Sequence, residues 1–240
     1  MEAIKTINLT KKYKDNIAVD NLNLIVNKGE LFSLLGINGA GKTTTIKMLS
    51  CLTKPSQGDA IIEGNSIITK QKEIKEIIGV CPQESAIASN LTVKENLELM
   101  CGIYNFSKEI TENKILSFSK LFKLTEVLNK KASKLSGGYK RRVSIAMALI
   151  ADPKILFLDE PSLGLDVIAR SELWDIILNL KGKTTIILTT HYMEEAEILS
   201  DRIAIMKHGK MLIVDTVEGI KKSTNTTKIE DAFIKIVKEN

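Results

Sequence analysis

The sequence predicts an α/β fold in which a parallel sheet forms the core and a group of helices forms a side lobe. Two continuous apolar runs, 155–158 and 184–188, are typical of parallel strands that are buried on both faces. A helical pattern over 167–180 lies between them, which is the order of a strand–helix–strand unit. Residues 92–151, which precede this unit, carry apolar side chains at helical spacing and predict the side lobe.

The remaining elements are predicted from the spacing of apolar residues and from the positions of turn residues. Leu22, Leu24 and Val26 recur at every second position, with Asn23 between the first two, which indicates a half-buried strand. The other expected elements are strands within 1–35 and 57–81, strands at 202–206 and 211–214 joined by a turn at 208–210, and an amphipathic helix at 229–238. The apolar face expected for the 167–180 helix is Ile168, Leu173, Ile176, Ile177 and Leu180.

The composition is that of a globular protein and excludes several other classes. Hydrophobic residues make up 44% and charged residues 26% of the chain, which excludes a disordered, collagen-like or disulfide-stapled protein. The net charge of +5 is too small and too scattered to indicate a nucleic-acid binder. Cys51, Cys81 and Cys101 form no CxxC pair, and we expect them to be buried apolar residues in a reducing compartment. We expect a cytosolic chain, because no apolar run approaches about 18 residues and the N-terminus lacks a secretory apolar region.

The most specific pattern is a glycine-rich loop between a predicted strand and a predicted helix. Residues 36–43 read GINGAGKT and match the GxxxxGK[ST] pattern of phosphate-binding loops. In such loops, backbone N–H groups and the positive end of the helix bind phosphate oxygens. We expect Lys42 to reach the β- and γ-phosphates and the Thr43 hydroxyl to bind Mg²⁺. Together these features predict a nucleoside triphosphate site.

Two further patterns indicate chemistry beside this loop. Asp159 and Glu160 follow the apolar run 155–158, at the carboxyl end of a strand, where open α/β sheets bind ligands. We expect Asp159 to hold Mg²⁺, and Glu160 to orient and deprotonate the attacking water. The run Ser136–Gly138 at the start of a helix is a candidate second anion site, although alone it also fits an ordinary serine cap.

In this order, the motifs resemble those of the nucleotide-binding subunits of ABC transporters over nearly the whole chain. Besides the phosphate loop, the matching segments are the Q-loop (Pro82–Gln83), the signature (Leu135–Tyr139), the Walker B strand (Ile155–Glu160), the D-loop (Ser162–Asp166) and the switch histidine (Thr190–His191). The runs 139–142 and 190–197 look most like the branch that serves exporters of drugs, lipids, peptides or bacteriocins.

Three positions depart from the commonest family pattern. Tyr139 stands where the signature usually has Gln, Val167 follows the D-loop where Pro is frequent, and Ile37 replaces a frequent Pro in the phosphate loop. None of these changes removes a group that carries charge or coordinates phosphate. Lys140–Arg142, considered as a basic run alone, favours a solvated helix face.

The resemblance implies a P-loop NTPase core with a parallel sheet, an N-terminal antiparallel β-subdomain and a helical subdomain, which together form the ABC ATPase fold. Residues 1–84 and 154–240 are expected to form the catalytic core with the β-subdomain. Residues 85–153 are expected to form the helical subdomain with the signature.

The resemblance also implies the roles of individual residues. The residues implied to bind ATP are Tyr13, Asn38, Gly39, Ala40, Gly41, Lys42, Thr43 and Thr44, with the Tyr13 ring stacked on adenine. The implied catalytic residues are Glu160, His191 and Gln83, and the implied Mg²⁺ ligands are Thr43, Gln83 and Asp159. Ser136, Gly137 and Gly138 are implied to contact ATP held by the opposite subunit, and Asp166 to couple the two sites.

These roles together imply an ATPase that uses ATP and Mg²⁺ to drive transport, with export favoured. Its expected partners are an integral-membrane permease and a second ATPase subunit, identical or related, with no nucleic acid. It is expected at the inner face of the cell membrane, held there by the permease. One alternative is a soluble ABC ATPase that acts on ribosomes or DNA, although the chain lacks a second ATPase unit and long coiled-coil or zinc insertions. Another is a regulatory protein that only binds nucleotide, although such a protein does not need a base at Glu160.

Overall fold

The computed structural model describes residues 1–239 of the chain. The strands are β1 (Glu2–Tyr13), β2 (Asn16–Leu22), β3 (Ile25–Asn27), β4 (Leu31–Gly36), β5 (Gln57–Ile62), β6 (Asn65–Ser66), β7 (Ile78–Cys81), β8 (Ile155–Asp159), β9 (Thr185–Thr190), β10 (Arg202–Lys207) and β11 (Lys210–Asp215). The helices are α1 (Lys42–Leu49), α2 (Gln71–Ile77), α3 (Val93–Ile103), α4 (Lys108–Leu121), α5 (Gly137–Leu149), α6 (Val167–Leu180), α7 (Met193–Leu199), α8 (Val217–Thr224) and α9 (Ile229–Glu239). No helix within the described range is long and apolar enough to cross a membrane.

The strands form two sheets. The N-terminal sheet has five strands in the order β2-β1-β5-β6, with β3 beside β1, and its pairs are antiparallel. The second sheet has six strands in the order β11-β10-β4-β9-β8-β7, and it is parallel except for the pair β10–β11. This architecture confirms the predicted α/β fold with a parallel core and an antiparallel N-terminal sheet.

Apolar side chains cover both faces of the parallel sheet. Along β8, Leu156 and Leu158 pack into one cluster, while Ile155 and Phe157 pack into another on the opposite face. The first cluster joins the sheet to α3, α4, α5 and α6, and the second joins it to α1 and the N-terminal sheet. Because β8 is buried on both faces, its carboxyl end is held in place for the site described below.

Three expectations about elements are wrong in detail. Residues 71–77 of the segment expected to be strand-like form α2. The strand expected over Leu22–Val26 is two strands, although Leu22, Leu24 and Val26 are all buried as the alternation predicts. Ile168 is 74% exposed, because it lies about two and a half turns before Ile177 and therefore on the opposite side of α6.

Candidate active site

The phosphate loop joins the end of β4 to the start of α1. Gly41 has a φ of +105°, and a Cβ atom built on it would lie 2.4 Å from the Ala18 carbonyl oxygen. A larger residue would therefore be strained and would also collide with backbone. Glycine at this position lets the loop turn tightly just before Lys42, the first residue of the helix.

Lys42 lies inside the loop and is only 4% exposed. Its ammonium donates hydrogen bonds to the carbonyl oxygens of Gly36 at 2.7 Å and Ile37 at 3.2 Å. The Lys42 Nζ atom also lies 3.3 Å from Oε1 of Glu160. The buried cation is thus satisfied by groups of the site, as a buried charge requires.

Asp159 lies at the carboxyl end of β8 and receives two hydroxyl groups. Thr43 Oγ1 donates to Asp159 Oδ1 at 3.1 Å, and Thr189 Oγ1 donates to the same atom at 2.5 Å. The contact with Thr189 follows from the sheet, because β8 and β9 are parallel neighbours and these two residues pair in register. A hydroxyl and a carboxylate beside a phosphate loop are oxygen ligands that suit Mg²⁺.

Glu160 is held between Lys42 and His191. Its Oε2 atom lies 2.7 Å from His191 Nδ1, while its Oε1 atom faces Lys42. The backbone has a φ of +47°, an uncommon conformation for a residue with a side chain. It is held there by hydrogen bonds from the Glu160 N–H group to Thr189 O and Oγ1, at 3.1 and 3.0 Å. Such a conformation is frequently found at functional sites.

A cavity of about 790 Å³ opens over the phosphate loop. The predicted site residues that line it are Tyr13, Asn38, Gly39, Ala40, Gly41, Lys42, Thr43, Thr44, Gln83 and Glu160. The Tyr13 ring is 45% exposed, and Lys11 Nζ lies 5.0 Å from its centroid. The cavity therefore joins the expected adenine end of the site to the expected phosphate end.

Asn16–Ala18, Asp20 and His208 also line this cavity and were not predicted. They reach it because the turn between β10 and β11 lies on β2, where the Asp20 N–H group donates to Gly209 O at 2.9 Å. No sequence motif marks this contact, because it joins segments that are distant along the chain.

The signature and the D-loop lie outside the residues that line the cavity. Ser136 is exposed and caps α5, and Asp166 is exposed and caps α6 by accepting from Ala169 N at 2.9 Å. A Cβ atom built on Gly138 would lie 2.8 Å from Ala169 Cβ, so the signature packs directly on α6. Within one chain, the signature therefore packs against the start of α6, away from the nucleotide cavity.

The basic run Lys140–Arg142 is not a solvated face. Arg141 and Arg142 are 4% and 6% exposed, which corrects the expectation for this run. Arg141 is buried because its guanidinium donates to backbone carbonyls. Arg142 is buried because its guanidinium carbon lies 4.3 Å from the centroid of the Tyr139 ring and its Nη2 atom forms an ion pair with Glu172 Oε2 at 3.4 Å. The carbonyl partners of Arg141 and the Glu172 partner of Arg142 come from other segments of the fold, whereas Tyr139 lies three residues before Arg142 on α5.

A buried carboxylate beside the site was also missed. Glu195 of α7 is fully buried and accepts hydrogen bonds from the Ser162 hydroxyl and from Trp174 Nε1. Burial raises the pKa of Glu195, although the polar groups around it and the positive charge of Arg141 oppose this rise. Glu195 thereby connects the D-loop to α6 and to the helix that follows His191.

A parallel α/β core with a phosphate loop after β4 and two carboxylates at the carboxyl end of β8, with β9 between the two strands, defines a P-loop nucleoside triphosphatase. The sequence profile of the ABC transporter family matches residues 19–163, and the chain belongs to this family.

Curated relatives share much of the sequence but are longer. The chain is 41% identical over 212 residues to the phospholipid-transporting ATPase ABCA3 of Homo sapiens, covering 87% of the chain and 12% of that protein. It is 43% identical over 232 residues to ABC transporter A family member 2 of Arabidopsis thaliana, covering 96% and 23%. It is 36% identical over 240 residues to the probable multidrug ABC transporter ATP-binding protein YbhF of Escherichia coli, covering 98% and 41%. The chain therefore spans less than half of each of these relatives.

Solved structures of ATP-binding cassettes share the fold. One, an ATP-binding subunit of an ABC transporter, superposes with a TM-score of 0.87 at 26% identity and covers 98% of this chain and 99% of its own. Another is a dimeric cassette in a post-hydrolysis state bound to ADP and Pi, with a TM-score of 0.81 at 29% identity and coverage of 89% and 98%. The chain is an ABC ATPase domain that binds and hydrolyses ATP.

Proposed function

We propose that the chain powers export through a separate integral-membrane permease, and that two ATPase subunits close head to tail around two ATP molecules. The second subunit is an identical copy or a related chain. The observation that carries this proposal is the separation of two half-sites. Lys42, Glu160 and Gln83 lie at the nucleotide cavity, whereas Ser136 faces solvent outside it. The dimeric cassette among the solved relatives supports closure, and the names of the curated relatives, a phospholipid-transporting ATPase and a probable multidrug transporter protein, support a role in transport.

ATP binding begins with a change of partners at Lys42. The ammonium leaves the Gly36 carbonyl and the Glu160 carboxylate, which it contacts now, and binds phosphate oxygens instead. The triphosphate carries several negative charges, so it offers the ammonium more charge-assisted bonds than one carbonyl and one carboxylate do, and the exchange favours the bound state. Tyr13 receives the adenine ring, since it lines the same cavity.

Thr43, Asp159 and Gln83 are the residues that would hold Mg²⁺. The described residues contain no cluster of three acidic, histidine or cysteine side chains suited to a metal ion. This fits Mg²⁺, which is usually held by one or two protein oxygen groups together with substrate phosphates. Held by these residues, Mg²⁺ would neutralise negative charge that develops on the phosphate oxygens.

Glu160 becomes available when Lys42 turns to phosphate. Its Oε1 atom is then free to accept a proton from the attacking water, while His191 keeps hold of Oε2. The His191 ring also packs against Tyr192, with ring centroids 4.2 Å apart, so its orientation is restrained. The signature Ser136 and Gly138 of the opposite subunit complete the γ-phosphate contacts, and Asp166 couples the two sites.

Substitution of Glu160 tests the site. Glu160→Gln keeps the size of the side chain but removes its basicity, so ATP should bind while turnover falls about a hundredfold or more. Light scattering should show an ATP-stabilised dimer that the wild-type chain forms only transiently. Glu63→Gln is a matched control, because Glu63 also has a φ of +47° and a lysine partner, Lys28 at 2.6 Å, but lies outside the cavity. If Glu160→Gln hydrolyses ATP within a few-fold of wild type, Glu160 is not the base.

The permease contact is tested separately. We place it near residues 83–96, because a γ-phosphate sensor must lie beside the surface that it moves, and Glu84 and Ser85 are exposed there. Glu84→Lys should uncouple transport and leave basal ATP hydrolysis unchanged. When cells are fractionated, the chain should sediment with the membrane fraction only if the permease is present. Membrane association that survives loss of the permease, or sedimentation with ribosomes or nucleic acid, would contradict the transporter role.

A further inference from the structure

Arg141 carries a buried charge without an ion-pair partner. Arg141 is 4% exposed and takes part in none of the ion pairs among residues 1–239, whereas its neighbour Arg142 pairs with Glu172. An arginine cannot lose its proton in a protein, so burial must be offset by other groups. The hydrogen bonds of Arg141 therefore indicate what its charge is used for.

The guanidinium joins the ends of two neighbouring strands. Nη1 donates to the carbonyl oxygens of Pro82 at 2.5 Å and Gln83 at 3.2 Å, just beyond the end of β7. Nη2 donates to the carbonyl oxygen of Asp159 at 2.7 Å, at the end of β8. Strands β7 and β8 are parallel neighbours, so one planar side chain spans the gap between their carboxyl ends.

These carbonyls belong to the backbone that carries two site residues. The Gln83 carbonyl is that of a residue that lines the cavity, and the Asp159 carbonyl belongs to the peptide bond that precedes Glu160. The donor itself lies on α5, five residues after Ser136. One guanidinium therefore sets the position of the Q-loop relative to Glu160 and connects both to the signature helix.

A second observation concerns the buried carboxylate of Glu195 as a counter-charge for Arg141. Among buried side-chain polar atoms of the described residues, only Arg141 Nε and Glu195 Oε2 lack a hydrogen-bond partner. One is a donor on a cation and the other is an acceptor on a carboxylate, and the charge of Arg141 acts on Glu195. The two atoms do not bond to each other, so the positive charge of Arg141 offsets the negative charge of Glu195 across the buried region and not through a direct hydrogen bond.

We propose that Arg141 is a positioning residue for ATP hydrolysis, which fixes the Q-loop backbone against the residue preceding Glu160 and uses Glu195 as its counter-charge. The inference rests on the roles of Gln83 and Glu160 in the proposed function. It also adds Ser162 and Trp174 to the same buried network, because both donate hydrogen bonds to Glu195.

The test compares two arginines in the full chain. Arg141→Gln should lower kcat roughly ten- to a hundredfold, because misplacement by about 1 Å has effects of this size. The KM for ATP should stay within about threefold, since Arg141 touches no group of the phosphate loop. Arg202→Gln is the control, because Arg202 likewise donates to a backbone carbonyl, that of Ile25, and additionally to the Glu30 carboxylate. It starts β10, at the opposite end of the sheet from the phosphate loop, and its kcat should be unchanged.

Conservative substitution separates positioning from folding. Arg141→Lys keeps the charge but replaces the planar guanidinium with one compact ammonium group. Its kcat should therefore lie between those of wild type and Arg141→Gln. The thermal midpoint of each variant is measured beside kcat. If Arg141→Gln and Arg202→Gln have equal thermal midpoints and lose the same fraction of kcat, Arg141 is only structural and the proposal is wrong. If Glu160→Gln abolishes turnover while Arg141→Gln stays as active as wild type, the proposal fails and the site assignment survives.

A double-variant cycle tests the counter-charge. Urea unfolding is measured for Arg141→Gln, Glu195→Gln and the double variant. Removal of either charge alone leaves the other buried without compensation, so the double variant should be less destabilised than the sum of the single variants. Additive effects would show that Glu195 is not the counter-charge.

Discussion

Tyr139 occupies the signature position where the family most often has Gln, and its contacts indicate a packing role. Its ring lies 4.3 Å from the Arg142 guanidinium, whose Nη2 atom lies 3.4 Å from Glu172 of α6. An arginine held between an aromatic ring and a carboxylate links the signature helix to the helix that follows the D-loop. The side chain of Tyr139 is thus engaged within its own subunit.

This arrangement predicts different effects on stability and on activity. Tyr139→Gln should lower the free energy of unfolding by about 0.5–1 kcal/mol, because it removes the aromatic face from Arg142. ATPase activity should stay within a few-fold of wild type, since phosphate contacts are assigned to Ser136 and the glycine backbone. Tyr139→Phe should retain the stability, and urea unfolding with a phosphate-release assay measures both quantities. A collapse of activity in Tyr139→Gln would place the ring in the ATP site.

Residues differ in how far their roles could be predicted from sequence. The places of Lys42 at the start of α1 and of Asp159 at the end of β8 were predictable, because each belongs to a local pattern whose geometry is set by a few adjacent residues. Arg141 and Glu195 were not, because charged residues are usually solvated and nothing nearby in sequence shows otherwise. Their burial depends on carbonyl and hydroxyl groups from strands and loops distant along the chain.

At the level of elements, α3 begins with a reciprocal cap. The Thr92 hydroxyl accepts from Glu95 N at 3.1 Å, and the Glu95 carboxylate accepts from Thr92 N at 2.7 Å. Hydrogen bonds from the Thr92 backbone and hydroxyl lower the pKa of Glu95 below its ordinary 4.5. A carboxyl with a lowered pKa stabilises the folded state above the unfolded value and loses this effect as the pH falls through the folded value.

The cap therefore predicts a pH-dependent difference between two proteins. Wild type should be more stable than Glu95→Gln near neutral pH. The difference should shrink as the pH falls below 4.5 and disappear below the lowered pKa of Glu95. Urea unfolding across this range measures it, with Glu98→Gln on the same helix as a control outside the cap. A difference that stays constant down to low pH would show that the carboxylate charge does not contribute to the cap.

Elements were predictable where local signals coincide. The bounds of α6 agree with the predicted 167–180, because Asp166 caps its first turn and apolar residues recur along it. The segment 71–77 was mistaken for strand because it is short and only Ile74 of α2 is buried, so it shows little helical period. Sequence period cannot identify so short a helix, whose position depends on packing beside β7.

At the scale of the whole molecule, the separated half-sites predict activity that depends on concentration. A single chain has Gln83 and Glu160 at its cavity but exposes Ser136 elsewhere. Specific ATPase activity should therefore rise with protein concentration until dimers predominate, and light scattering follows the dimer fraction. Ser136→Arg should abolish closure and keep the activity low at every concentration. Constant specific activity in a chain that stays monomeric would contradict a shared site.

The burial of all three cysteines has a practical consequence for observing this closure. Cys51, Cys81 and Cys101 are free and buried, and burial raises the pKa of each thiol, so little reactive thiolate forms at neutral pH. A cysteine introduced on the surface of the helical lobe, for example Ser133→Cys, would thus react with a maleimide dye against a silent background. Fluorescence energy transfer between two such labelled chains could then report the approach of the subunits during each ATP cycle, without first removing any native residue.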